Sequence, residues 1–84
     1  MYILLIKPSA ERDLRKLPPT IFQRVNEKIL ALRYDPYPPG VRKLVGAIEG
    51  WPIRVGDYRI LYQINDEAQT VTIARVKHRR EVYR

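Results

Sequence analysis

Two short runs of alternating apolar and polar residues meet at a Gly-Asp pair, and this junction constrains the fold more than any other stretch of the 84-residue chain. Residues 51–55 (Trp-Pro-Ile-Arg-Val) and 58–64 (Tyr-Arg-Ile-Leu-Tyr-Gln-Ile) flank Gly56-Asp57. A period of two marks strands with one buried face. A two-residue loop led by glycine, which tolerates positive φ, closes such strands into a hairpin. The register follows from the loop: Val55 stands opposite Tyr58, Arg54 opposite Arg59, and Ile53 opposite Ile60. Ile53, Val55, Tyr58, Ile60, Tyr62 and Ile64 then share one apolar face, the expected core. Arg54 and Arg59 face each other on the other side.

Like charges directly across a strand pair are unfavourable, so selection for stability alone would seldom place two arginines there. Two guanidiniums projecting from paired strands suit a phosphate, because they are fixed, forked and always charged. The plainer alternative is a pair of solvated arginines fanning apart. The choice rests on register, since a slip of one residue moves one arginine to the opposite face.

The rest of the chain supplies layers for this hairpin. Residues 2–6 (Tyr-Ile-Leu-Leu-Ile) form a short apolar run and read as a buried strand. Pro8 and Ser9 open a helix in which Ala10, Leu14 and Leu17 make one apolar stripe, with Glu11, Arg12, Asp13, Arg15 and Lys16 facing water. Leu17-Pro18-Pro19 ends it, and Pro19 starts a second helix. There Ile21, Val25, Ile29 and Leu32 form the buried face, widened by Phe22 and Leu30. Residues 35–40 (Asp-Pro-Tyr-Pro-Pro-Gly) are a loop, and residues 41–50 read as irregular or weakly paired. Residues 70–77 form a last strand whose buried face stays open: Val71 and Ile73 lie on one parity, Ala74 and Val76 on the other. The order is β-α-α-β-β-β in a single domain spanning residues 1–84. This is an α+β fold with a helical hairpin packed on one face of a small, largely antiparallel sheet.

Cysteine is absent, which excludes disulfides and zinc–thiolate sites and fits a reducing cytoplasm. One histidine without clustered carboxylates predicts a metal-free protein with no cofactor. No apolar run approaches a membrane span, and residues 2–6 are too short for a signal peptide. Sixteen Lys plus Arg against nine Asp plus Glu give a net charge of +7. That excess points to a polyanionic partner, either nucleic acid or an acidic protein.

Five of the last nine residues are basic if His78 is counted: Lys77, His78, Arg79, Arg80 and Arg84. Val76 and Val82 bracket the cluster, which sets it apart from a plain basic tail. His78 is the only side chain with an ordinary pKa near neutrality, so it is either a proton carrier or simply a polar surface residue. Arg54, Arg59 and Arg79 do not deprotonate, and their roles are binding and charge stabilisation. Tyr83 can stack on a base, move a proton, or clasp Val82. Glu81 is expected to pair with a neighbouring arginine.

Ser9-Ala10, Asp13-Leu14 and Lys16-Leu17-Pro18 in the first helix, Lys43-Leu44 and Gly46, Gly56-Asp57-Tyr58-Arg59-Ile60-Leu61-Tyr62, and the ending His78-Arg79-Arg80-Glu81-Val82-Tyr83-Arg84 resemble the RelE toxins of the RelE/ParE superfamily. The helix matches are generic, whereas the hairpin and the ending are specific. The resemblance implies the toxin of a type II toxin–antitoxin pair: a ribosome-dependent endoribonuclease, or mRNA interferase. Such an enzyme cuts mRNA in the A site by metal-free attack of the RNA's own 2′-hydroxyl and so inhibits translation in the cytoplasm. It implies catalytic roles for Arg54, Arg59, His78, Arg79 and Tyr83, and RNA contacts from Lys43, Lys77, Arg80 and Arg84. The partners implied are the ribosome with its mRNA and an acidic antitoxin that wraps the toxin in a hetero-oligomer. The chain departs from the best-known members at Pro52, where they carry a lysine. It also ends at Arg84, where relatives can continue into a C-terminal helix. Two alternatives stand beside this reading: a ParE-like gyrase inhibitor, although that branch generally lacks the Arg/His/Tyr set, and a non-enzymatic module that binds RNA or ribosomes.

Overall fold

The hairpin forms in the register that its turn dictates. In a computed structural model, which describes residues 1–37 and 51–82, β2 (Trp51–Val55) pairs antiparallel with β3 (Tyr58–Asn65). Val55 lies opposite Tyr58, Arg54 opposite Arg59 and Ile53 opposite Ile60. Gly56 takes φ +58°, a region that costs other residues steric strain. β4 (Thr70–His78) pairs antiparallel with β3, and β1 (Ile3–Ile6) pairs parallel with β4, giving the order β1-β4-β3-β2. Between β1 and β2 the chain makes α1 (Pro8–Arg15) and α2 (Pro19–Ala31), each with a proline in its first turn. α1 lies against β4 and α2 against β2, so both helices cover one face of the sheet.

Val25 and Ile29 of α2, Leu32 just past its end, and Ala10 of α1 meet Val55, Ile60, Tyr62, Val71, Ile73 and Val76 in the core. Fully burying one such aliphatic side chain contributes about 1.5–3 kcal/mol. This core therefore readily outweighs a local cost elsewhere on the sheet. Tyr62 is fully buried, and its hydroxyl donates to the Pro36 carbonyl at 2.8 Å, tying the segment after α2 to the sheet. Burial pushes the Tyr62 phenol up to about 12, with Asp35 and Tyr37 adding to the rise.

Four sequence expectations change. β1 is not buried on both faces. It is an edge strand with Ile3 and Leu5 exposed and Tyr2 and Leu4 packed against the core, because helices cover only one side of the sheet. Phe22 and Leu30 do not widen the buried face of α2; they are 42% and 45% exposed, on a flank the sheet does not reach. Asp13 does not face water. Its carboxylate is half-buried and bonded to β4, a role that helical spacing cannot reveal. Finally, β4 ends at His78 and the chain turns into a one-turn helix, α3 (Arg79–Val82), which no periodicity signalled.

The open parity of the last strand resolves through a β-bulge. Leu61 pairs with Arg75 but Tyr62 pairs with Ile73, which leaves Ala74 as an extra residue on β4. The extra residue reverses the alternation, so Val71, Ile73 and Val76 all enter the core. The loop residues 38–40 and the irregular stretch 41–50 lie outside the described residues.

Candidate functional site

The pairing carries the opposed arginines one strand further. Arg54 stands opposite Arg59, and Arg59 opposite Lys77, so a single row of three cations crosses β2, β3 and β4. By alternation the row lies on the sheet face away from the helices, since its neighbours Val55, Ile60 and Val76 are core residues. Arg54 is exposed, while Arg59 and Lys77 are half-buried. The Arg54 Nε–H donates to the Gly56 carbonyl at 3.1 Å, which fixes that guanidinium over the turn. Two unit charges about 4 Å apart repel by about 1 kcal/mol in water and by about 4 kcal/mol at an effective dielectric of 20. An anion settling on the row would turn that repulsion into attraction.

The turn extends the cluster. The Arg79 backbone N–H donates to the Asp57 carbonyl at 2.7 Å, which docks the start of α3 on the β2–β3 loop. The Arg79 side chain also approaches Asp57, with Nε 3.8 Å from Oδ1; both side chains are more than half exposed, so this is a weak tether. From α2, an Arg24 guanidinium nitrogen comes within 3.6 Å of where a Cβ would stand on Gly56. Sequence reading missed Arg24, because one basic residue on a helix carries no sign of which strand turn it will meet. It also missed Asp57 as the anchor of Arg79.

Lys77, expected to contact RNA or, with Pro52 in place of a lysine, to share the base role with His78, sits inside the cation row beside Arg59. His78 goes elsewhere. It pairs with Tyr58, whose ring it meets edge-on at 5.3 Å, and alternation puts both on the face opposite Arg59 and Lys77. Its Nδ1 accepts the Arg80 backbone N–H at 3.3 Å, a bond within the first turn of α3. Arg79 and Arg80 are exposed at the start of that turn. Pro52 pairs with Leu61, one residue pair along β2 from the row's neighbour Ile53. Lys43, Tyr83 and Arg84 lie outside the described residues, as does the side chain of Glu81.

Asp13 supports this end of the sheet from α1. It accepts a fork from Arg75, Nε at 2.8 Å and Nη2 at 3.1 Å, and the Val76 backbone N–H at 2.9 Å. Burial pushes its carboxyl up, but the bonds from Arg75 and Val76, with the charges of Arg75 and Lys77, outweigh this and hold it below its ordinary value. Among the described residues no three His, Asp or Glu side chains converge as a metal site would require. No helix among them is long and apolar enough to cross a membrane.

Known proteins resemble this chain in sequence and in fold. The family described as the ParE toxin of type II toxin–antitoxin systems matches residues 4–83. The chain is 41% identical to Toxin RelG of Mycobacterium tuberculosis, over 99% of this chain and 97% of that one.

The chain belongs to the RelE/ParE toxin superfamily.

Solved structures agree. The toxin–antitoxin complex RelBE2 of M. tuberculosis matches with a TM-score of 0.80 at 39% identity, covering 92% of this chain and 96% of that one. The isolated RelE toxin of E. coli matches with a TM-score of 0.78 at 26% identity, covering 93% of this chain and 84% of that one. The expected fold class, a helical hairpin on one face of a small, largely antiparallel sheet, is thus the fold of RelE toxins, and among the described residues the β1–β4 pairing is the one parallel contact.

Proposed function

We propose that this chain is a ribosome-dependent endoribonuclease that cleaves mRNA in the A site and so arrests translation. The observation that carries the reading is the row Arg54–Arg59–Lys77 across three strands of a RelE-like sheet. Three cations on paired strands form a preorganised cradle for one phosphodiester. The RNA's 2′-oxygen attacks the neighbouring phosphorus, a base takes the 2′-proton, and the 5′-oxygen leaves with a proton, giving a 2′,3′-cyclic phosphate. Arg54 and Arg59 hold the non-bridging oxygens as charge builds on them. Lys77 supplies the amine that Pro52 cannot, and Arg79 approaches from the turn. Tyr83 follows α3 in sequence and is assigned the proton-transfer role. His78, on the other face, acts by shaping the turn that bears Arg79 rather than by touching RNA.

The RelB–RelE complexes among the similar structures support a cognate antitoxin for this chain as well, acidic to suit the +7 charge and bound in a hetero-oligomer. Ribosomes and mRNA as targets place the protein in the cytoplasm. A second reading, inhibition of gyrase, draws on the ParE description of the matching family. Mapping mRNA 5′ ends after brief expression separates the two: new ends inside translated codons are expected. Intact mRNA together with loss of DNA supercoiling would replace the ribonuclease reading by the gyrase one.

A further inference from the structure

The cation row exists only because β4 carries one extra residue. Counting outward from the buried Ile73, strict alternation would turn residue 75 inward and residue 76 outward, and would aim Lys77 at the core. The bulge at Ala74 reverses this, sending Val76 inward and Lys77 to the face of Arg59. A bulge also takes backbone groups out of the strand ladder, and those groups need other partners. Here α1 provides them. The Ser9 hydroxyl donates to the Ala74 carbonyl at 2.8 Å, and Asp13 Oδ2 accepts the Val76 N–H at 2.9 Å. Asp13 also takes the forked bond from Arg75, the residue next to the extra one. β1 cannot serve, because its pairing with β4 stops at Ile6–Ile73. Beyond that point α1 occupies the flank of β4.

We infer that Asp13, assisted by Ser9, is a positioning residue for cleavage: it locks the β4 bulge and thereby the register that sets Lys77 beside Arg59. The inference rests on the ribonuclease reading for its kinetic consequence but not for its structural one. Asp13 belongs to α1 on the flank of β4 and is engaged by Arg75 and the Val76 N–H, so it acts through the placement of Lys77 and not on RNA. Misplacing a reacting group by about 1 Å can cost on the order of 10²-fold in rate.

The test is a double-mutant cycle read in kcat for ribosome-bound mRNA and in cross-strand NMR contacts. Asp13→Ala is expected to lower kcat by about 10²-fold with KM nearly unchanged. In a Lys77→Ala background the same change should alter kcat by less than about 2-fold, while its effect on Tm stays the same in both backgrounds. The Val76 amide should exchange with solvent about 10–100-fold faster in Asp13→Ala, and the Arg59–Lys77 cross-strand contacts should fade. Asp13→Asn, whose amide oxygen can still accept from Val76, should recover part of the rate. If Asp13→Ala does not fold, Asp13→Asn and Ser9→Ala take its place in the cycle. An equal kcat penalty in both backgrounds, or an intact bulge with the Arg59–Lys77 register preserved, overturns the inference. If the wild-type protein does not cleave, the ribonuclease reading falls by itself and the NMR register alone judges Asp13.

Discussion

The two ends of the sheet treat charge in opposite ways. At the β3–β4 turn, Asp66 receives the Tyr2 hydroxyl at 2.6 Å and the Tyr37 hydroxyl at 2.8 Å, so one carboxylate serves two phenols from distant segments. Those bonds, Tyr2 first, hold the Asp66 carboxyl below its ordinary value and raise both phenols. At the β2–β3 turn the pattern reverses. Arg54, Arg59 and Lys77 line up across paired strands, and Arg79 approaches Asp57 at the turn beside them. The first end joins pieces of chain by matching charge with donors; the second accumulates like charge on paired strands. Stability is arranged at one end, and the other carries the phosphate cradle proposed above.

If that contrast is right, substitutions at the two ends should separate rate from stability. The largest effect belongs to the cation row. Arg59→Ala is expected to lower mRNA cleavage by about 10²–10³-fold, as removal of a charge-stabilising donor does elsewhere. Its Tm should stay level or rise, since one term of like-charge repulsion is gone. A large fall in Tm with cleavage retained would break the comparison. Next comes Tyr62→Phe, which leaves the Pro36 carbonyl without its buried donor. It should cost about 1–2 kcal/mol, or about 5–15 °C in Tm for a domain this small, with the cleavage rate unchanged.

The same phenol sharpens the contrast with pH. Its pKa is raised from 10.0 to about 12, so it favours folding below pH 10 and loses that contribution as pH rises towards 12. Denaturant titrations should therefore show an alkaline limb that shrinks in Tyr62→Phe. The smallest effect is expected from Asp66→Asn, at an exposed site. Because the Asp66 carboxyl is held below 3.8, its contribution is present above that value and fades as pH falls through the lowered one. The variant should lower Tm slightly at neutral pH and flatten the acid side of the stability profile, leaving cleavage intact.

The contrast also explains what could be read from the sequence. The β2–β3 hairpin was legible to the residue, because a two-residue glycine loop fixes register locally and so fixes Arg54 opposite Arg59. Both helices were legible from apolar spacing and proline boundaries. The bulge was not. Val71, Ile73 and Val76 announced a conflict of parity, but its resolution depended on Ser9 and Asp13, more than 60 residues away in sequence. For the same reason Lys77 could not be set in the row, nor His78 on the opposite face, until β3 and β4 were paired. The fate of β1 depended on which sheet edge it joined, and an apolar run of that length fits a central or an edge strand equally well. Local chemistry was readable; long-range satisfaction of polar groups was not.

The parallel pairing of β1 with β4 carries a consequence for the birth of the protein. Ile3 is made well before its partner Thr70. The first strand therefore waits for β4 to be made before it can join this sheet, and contacts so distant in sequence form slowly. Lys77 comes later still, so neither the closed sheet nor its cation row can assemble on a nascent chain that has not yet reached β4. A protein proposed to attack translating ribosomes would thus stay harmless to the ribosome making it until β4 has been made and paired.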